Sequence, residues 1–100
     1  MDLGRNPPQN ISAEQAALGS MLLQEDAIMH TVEILKPEDF YRKSHEIIYR
    51  SISELFDKSN GVDLVTLTEE LKRKDLLEKI GGVTYLTNLI NSVPTAANIE

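Results

Sequence analysis

The sequence predicts an all-α domain, a compact bundle of about five to six short helices, and three observations lead there. Between turn marks the larger side chains recur at spacings of three and four, most regularly in Tyr41, His45, Ile48, Ile52 and Leu55, which is the period of one helix face. The marks themselves, Pro7-Pro8, Pro37, Asn60-Gly61, Gly81-Gly82 and Pro94, cut the chain into segments of short-helix length. Helix-starting residues, Ser12 and Asp63 among them, stand just ahead of the periodic stretches.

Taken in order, residues 1–10 read as a flexible polar tail. Ser12 with Gln15 has the form of a capping box, a hydroxyl and an amide satisfying each other's backbone N–H groups. The helix that follows buries Leu18, Met21 and Leu22. Its small residues Ala16, Gly19 and Ser20 offer a face on which another helix can approach closely. A glycine there costs up to about 1 kcal/mol of helix propensity relative to alanine, so packing is the expected reason for it.

A second helix is expected from about Asp26 to Leu35, with Ile28, Val32 and Leu35 inward and Glu25 and Asp26 at the positive end of its dipole. Pro37 ends it, because proline disfavours helical geometry at the residue before it. The third, from about Arg42 to Lys58, carries the longest regular stripe and is taken as central. Its predicted core residues, with the segment before it, are Phe40, Tyr41, His45, Ile48 and Ile52, and Asn60-Gly61 closes it through a left-handed turn.

Asp63 is the expected cap of a fourth helix with Leu64, Leu67 and Leu71 inward, and with the pairs Glu69–Arg73 and Glu70–Lys74 on its outer face. A short helical turn over Leu76 to Ile80 leads to Gly81-Gly82, and a helix from about Val83 to Asn91 turns Leu86, Leu89 and Ile90 inward. Pro94 breaks that helix, and Thr95 then caps a further one whose first residues end the sequence, as expected of a piece of a longer protein. The expected organisation is therefore a tail over 1–10, a helical domain over 11–93, and the start of a truncated helix over 94–100.

Composition narrows the function. At 100 residues there is room for one domain, and a globule of this size buries roughly 60–70% of the surface its unfolded chain exposes. The 41% hydrophobic and 26% charged content is ordinary globular usage. With no cysteine, disulfides and zinc–thiolate sites are excluded. The start, Met1 to Asn10, has no apolar core of a signal peptide, and no apolar run approaches the roughly 18 residues of a membrane span. A net charge of −6 gives no general attraction for a phosphate backbone.

No motif in the sequence points to catalysis. His30 and His45 fall on different predicted helices without ligand partners at metal spacing, and His45 reads as a core or capping histidine. The acidic pairs Glu38-Asp39 and Glu69-Glu70 read as solvated helix charges. Gly81-Gly82 is followed by Val83 and Thr84 and so lacks the lysine and hydroxyl of a phosphate loop. Lys72-Arg73-Lys74 reads as a helix C-terminus facing the negative end of the dipole. Nothing resembles a basic recognition helix for DNA.

Three stretches in order resemble one family. PPQNISAEQAALGSMLL is similar to the opening of DnaB-type bacterial replicative DNA helicases, where a Pro-Pro or Pro-His tail precedes a helix of the form (E/S)AEQAVLG. PEDFYRKSHEIIYRSI resembles the family's DFYR-x-xHQ-x-IF run, and DLVTLTEELKRKDLLEKIGGVTYLTNLINSVPTAANIE its segment ending in VPTAANVE. The likeness spans residues 7–100, with Ser12 where many members carry an acidic residue and Tyr49 in place of the common phenylalanine.

The resemblance implies an N-terminal collar domain of a homohexameric, ATP-driven helicase of the bacterial cytoplasm. In that reading the segment itself binds no cofactor. ATP, magnesium and DNA belong to a C-terminal ATPase domain that would follow a helical hairpin and linker. The implied partners are the C-terminal domain of primase, other copies of the chain arranged as a trimer of dimers, and a helicase loader. Tyr85 matches the tyrosine of the family's GGxxYL run and is expected at a primase-facing or subunit-facing surface, with Ser12 as a second contact candidate. A stand-alone helical adaptor, such as a primase helicase-binding domain, and a nucleic-acid-binding helical module are the rival classes.

Overall fold

The computed structural model describes residues 10–58 and 61–94. The tail over 1–9, the residues 59–60 at the Asn60-Gly61 turn, and the expected helix start after Pro94 lie outside the described residues. Five α-helices form the described chain: α1 (Ile11–Leu23), α2 (Glu25–Ile34), α3 (Lys43–Asp57), α4 (Leu64–Arg73) and α5 (Gly82–Asn91). Two 3₁₀ turns, Pro37–Asp39 and Glu78–Ile80, lie between them, the second in place of the helical turn expected over Leu76 to Ile80. The all-α class expected from the sequence is the fold observed.

The start of α1 differs from expectation. Asn10 is its cap, with the side-chain carbonyl accepting the Ala13 amide at 3.0 Å, and Ser12 is an exposed residue of the first turn. Asparagine is at least as good a cap as serine, and the earlier start adds hydrogen-bonded residues to the helix. Gln15 does not reach back to the helix start as in a capping box; its amide donates to the Tyr85 hydroxyl at 3.2 Å.

From α1 the stripe Leu18, Met21 and Leu22 enters the core as expected, and α1 packs against α5, α2 and α3. Gly19 meets α5 backbone to backbone. A Cβ built on it would fall on the Leu89 carbonyl oxygen and 2.6 Å from Val93 Cγ2. Gln24 is extended and separates α1 from α2. In α2 only Ile28 is fully buried, with Leu35 at its end half-buried. Val32, expected inward, is 37% exposed, because α2 lies at the margin of the bundle and has one covered edge.

The central position of α3 is as expected, with Ile48, Tyr49, Ile52 and Leu55 in the core together with Phe40. Tyr41 is not core: it is 58% exposed. Arg42 is extended and caps a helix that begins at Lys43, so the helical spacing does not carry back to Tyr41 and Phe40 takes the inward place. Phe40 packs on Tyr49 with ring centroids 4.9 Å apart. The Tyr49 hydroxyl, absent from a phenylalanine, donates to the Leu35 carbonyl at 2.7 Å and satisfies the C-terminal end of α2.

Asp63 caps α4 as expected, in a reciprocal box with Thr66, each amide bonded to the other's side chain at 2.9 Å. Leu67 and Leu71 are buried and Leu64 partly so. The outer-face pairs are partly corrected. Glu70 is buried, accepting from Arg73 at 2.9 Å and lying 3.4 Å from Lys74, whose ammonium also binds Glu54 of α3. Glu69 faces Lys72 at 3.9 Å instead of Arg73. The helix ends with Asp75 in the left-handed region at φ 63°, and the Leu76 amide returns to the Leu71 carbonyl at 2.8 Å. Gly81, at φ 108°, ends the second 3₁₀ turn in the same way and starts α5, which buries Leu86 and Leu89 and half-buries Ile90.

Candidate functional site

The packing of α1, α3 and the start of α5 brings five polar side chains to one point. His45, one turn into α3, is fully buried. Its Nδ1 lies 2.7 Å from Glu14 Oε1 of α1, and its Nε2 lies 2.5 Å from the Tyr85 hydroxyl of α5. A carboxylate only accepts, so Nδ1 carries the proton, Nε2 is bare, and the phenol donates to it. The Tyr85 oxygen in turn accepts from Arg42 Nη1 at 3.0 Å and from Gln15 Nε2 at 3.2 Å. The second Glu14 oxygen accepts the Tyr41 amide at 2.7 Å. Every named donor meets an acceptor with the histidine neutral.

Local structure explains each placement. Asn10 starts α1 so that Glu14, in its first turn, and Gln15 next to it project toward α3 and α5. The bend at Tyr41 and the extended Arg42 then bring an amide to Glu14 and a guanidinium to the phenol. Tyr85 sits one turn after Gly81, whose missing Cβ would lie 2.8 Å from Tyr85 Cβ. The His45 and Tyr85 rings lie nearly parallel, 20° apart.

Electrostatics favour that protonation pattern. Burial lowers the His45 pKa below its ordinary value, the Arg42 charge lowers it further, and the adjacent Glu14 only partly opposes them. Burial pushes the Glu14 carboxyl upward, but hydrogen bonds from His45 and from the Tyr41 and Arg42 amides outweigh it and hold the group below the usual carboxylate range. A groove of about 200 Å³ runs along α1 past Ala13, Glu14, Ala17 and Phe40, and neither His45 nor Tyr85 lines it.

Of the two residues singled out by sequence, Tyr85 is at this junction and half-buried, while Ser12 lies outside it and exposed. His45 was legible as a core histidine, not as the centre of a network. Glu14 and Arg42 stand in the quoted AEQ and DFYR runs, but no local spacing points to them as site residues, since Glu14 is 31 positions from His45. His30, on α2, is exposed. Among the described residues no group of histidines and carboxylates is placed to hold a metal ion.

Known proteins match along the whole domain. The family model for the DnaB-like helicase N-terminal domain matches residues 6–100. The chain is 57% identical to the replicative DNA helicase DnaC of Bacillus subtilis over 96% of its own length and 21% of that protein. It is 50% identical to the replicative DNA helicase DnaB of Mycobacterium leprae, covering 97% of this chain and 16% of the relative. The crystal structure of the N-terminal domain of DnaB helicase from Mycobacterium tuberculosis superposes with a TM-score of 0.87 at 50% identity, over 92% of this chain and 67% of that one. The chain spans about a fifth of the length of the curated relatives it matches. A single family accounts for the helices, their order and the sequence that builds them: the chain belongs to the DnaB-like helicase N-terminal domain family.

Proposed function

We propose that this domain is the interaction collar of a hexameric replicative DNA helicase in the bacterial cytoplasm, where it joins subunits and docks the C-terminal domain of primase. It works without cofactor or catalysis of its own. In the whole protein, ATP with magnesium and the DNA are handled by a separate C-terminal domain, and a loader is a further partner. The names of the relatives favour this reading over a stand-alone adaptor.

The observation that carries the docking role is the surface at the Tyr85 junction. There the half-buried Tyr85 is held by hydrogen bonds to three side chains, those of Gln15, Arg42 and His45, and the exposed Tyr41 stands beside it. Tyrosine and arginine held in place before binding are the side chains that anchor interfaces, since little freedom is lost on contact. Ser12, one turn from Gln15, is a flanking contact in this reading.

Calorimetric titration with a purified primase C-terminal domain tests the reading. Saturable binding is expected, weakened at least tenfold, about 1.4 kcal/mol, by Tyr41→Ala or Arg42→Ala. Both positions are exposed, so the fold tolerates them. Binding that neither substitution changes would place the primase contact elsewhere, and absence of binding in a chain that includes the whole N-terminal region would reject the role.

A further inference from the structure

The Glu14–His45–Tyr85 junction is balanced for one protonation state and overfilled in the other. With His45 neutral, the Tyr85 hydroxyl spends its hydrogen on Nε2 and its oxygen accepts from Arg42 and Gln15. A proton from solvent added at Nε2 turns that nitrogen into a donor. The phenol must then rotate its own hydrogen away and accept a third donor where its oxygen has two acceptor sites. The new imidazolium also lies beside the Arg42 guanidinium, a like charge, while Glu14 on the far side gains an ion pair. Of the two donors already on the oxygen, Gln15 is uncharged and half-buried, whereas Arg42 is exposed and has water to go to.

We infer that this junction is a proton-operated latch: protonation of His45 at Nε2 releases the Arg42 side chain from Tyr85 and loosens the first turn of α5 from α1 and α3. The groups that face the ring are Glu14 from α1, Tyr85 from α5 and Arg42 from the segment before α3; Asp39 of the neighbouring 3₁₀ turn is taken up by the Lys36 amide at 2.8 Å. Only the proton is added and no covalent bond breaks. The latch turns a change of pH into a change in the position of a surface cation, and it stands independently of which partner binds that surface.

The test is NMR titration of the 100-residue chain between about pH 8 and pH 4.5, following the His45 ring nitrogens and the Arg42 Nε–H resonance. Above the midpoint the protonated nitrogen is expected to be Nδ1, the proton taken up on acidification is expected at Nε2, and Arg42 is expected to shift with the same midpoint as His45. In Tyr85→Phe the Arg42 inflection is expected to vanish. The His45 midpoint should rise by about half a unit to one unit, since neutral Nε2 has lost its donor. Arg42→Gln, at an exposed site, provides the second arm and is expected to raise the His45 midpoint by removing the like charge. Arg42 staying flat while His45 titrates, a proton already on Nε2 at high pH, or a midpoint untouched by Arg42→Gln would each overturn the latch. A purely structural histidine would leave Arg42 silent.

Discussion

The Cα of Gly19 in α1 faces the backbone carbonyl of Leu89 in α5 with no space between them for a methyl group. This contact sets how closely the first and last described helices approach, and it explains a residue that weakens α1 locally. Gly19→Ala would gain helix propensity yet force the Leu89 backbone and the Val93 side chain outward. Overpacking of this kind costs about 1–3 kcal/mol, so net destabilisation is expected. Urea denaturation would show a lower midpoint with an unchanged slope; a variant as stable as the parent would mean that α5 moves away freely.

The corrected start of α1 gives a sharper contrast. Asn10→Ala removes the acceptor for the Ala13 amide and should cost about 1 kcal/mol, the usual value of a cap. Ser12→Ala, which the capping-box reading would make equally damaging, should change stability by less than about 0.5 kcal/mol, as an exposed substitution does. Thermal melts of the two variants decide between the caps, since about 1 kcal/mol moves the midpoint by roughly 4–8 °C in a domain of this size.

Why one cap was misplaced and another was not is a matter of range. Asp63 and Thr66 satisfy each other within one turn, and the stripes of α3 and α4 repeat within one helix, so sequence spacing contains them. Helical spacing carried back from α3 puts Tyr41 on the buried stripe, but the extended backbone at Arg42 breaks that spacing. On helical spacing Glu70 belongs to the outer face, and its burial arises only where α4 packs against α3, with the Lys74–Glu54 pair across the gap. The junction at Tyr85 was half legible. The tyrosine was found through the family's run, but its partners come from α1 and from the start of α3, 40 or more positions away. Only the tertiary fold makes Glu14, His45 and Tyr85 neighbours.

Asp75 offers a stabilising substitution. It holds the left-handed position that ends α4, at φ 63°, where the return bond from Leu76 to Leu71 requires it. Side chains with a Cβ are disfavoured there, by roughly 1–2 kcal/mol for most residues and less for Asp and Asn. Asp75→Gly relieves that strain and gives back part of the gain through a freer unfolded chain. A net stabilisation of about 0.5 kcal/mol is expected, visible as a higher thermal midpoint. A fall would show that the Asp75 side chain holds the turn by more than its backbone.

Acid should unfold the domain in two separable stages, and the signs are the same in both. His45 has a folded pKa below its ordinary 6.5, so the unfolded chain binds the proton first. Stability from the neutral ring is complete above about pH 6.5 and is lost as pH falls from there through the folded value. Glu14 and Glu70 are also held below their ordinary 4.5, Glu14 by its hydrogen bonds against the pull of burial and Glu70 chiefly by Arg73. Their contribution is present above about pH 4.5 and fades as pH falls through their lower folded values. Each group can contribute a slope of at most about 1.4 kcal/mol per pH unit. Stability measured by urea at steps from pH 8 to pH 3 should therefore decline first below pH 6.5 and again below pH 4.5. His45→Gln should remove the first decline and leave the second. A parent protein whose stability is level between pH 6.5 and 5 would show that Glu14 fully offsets the burial of the histidine, and the neutral ring would lose its place at the centre of the junction.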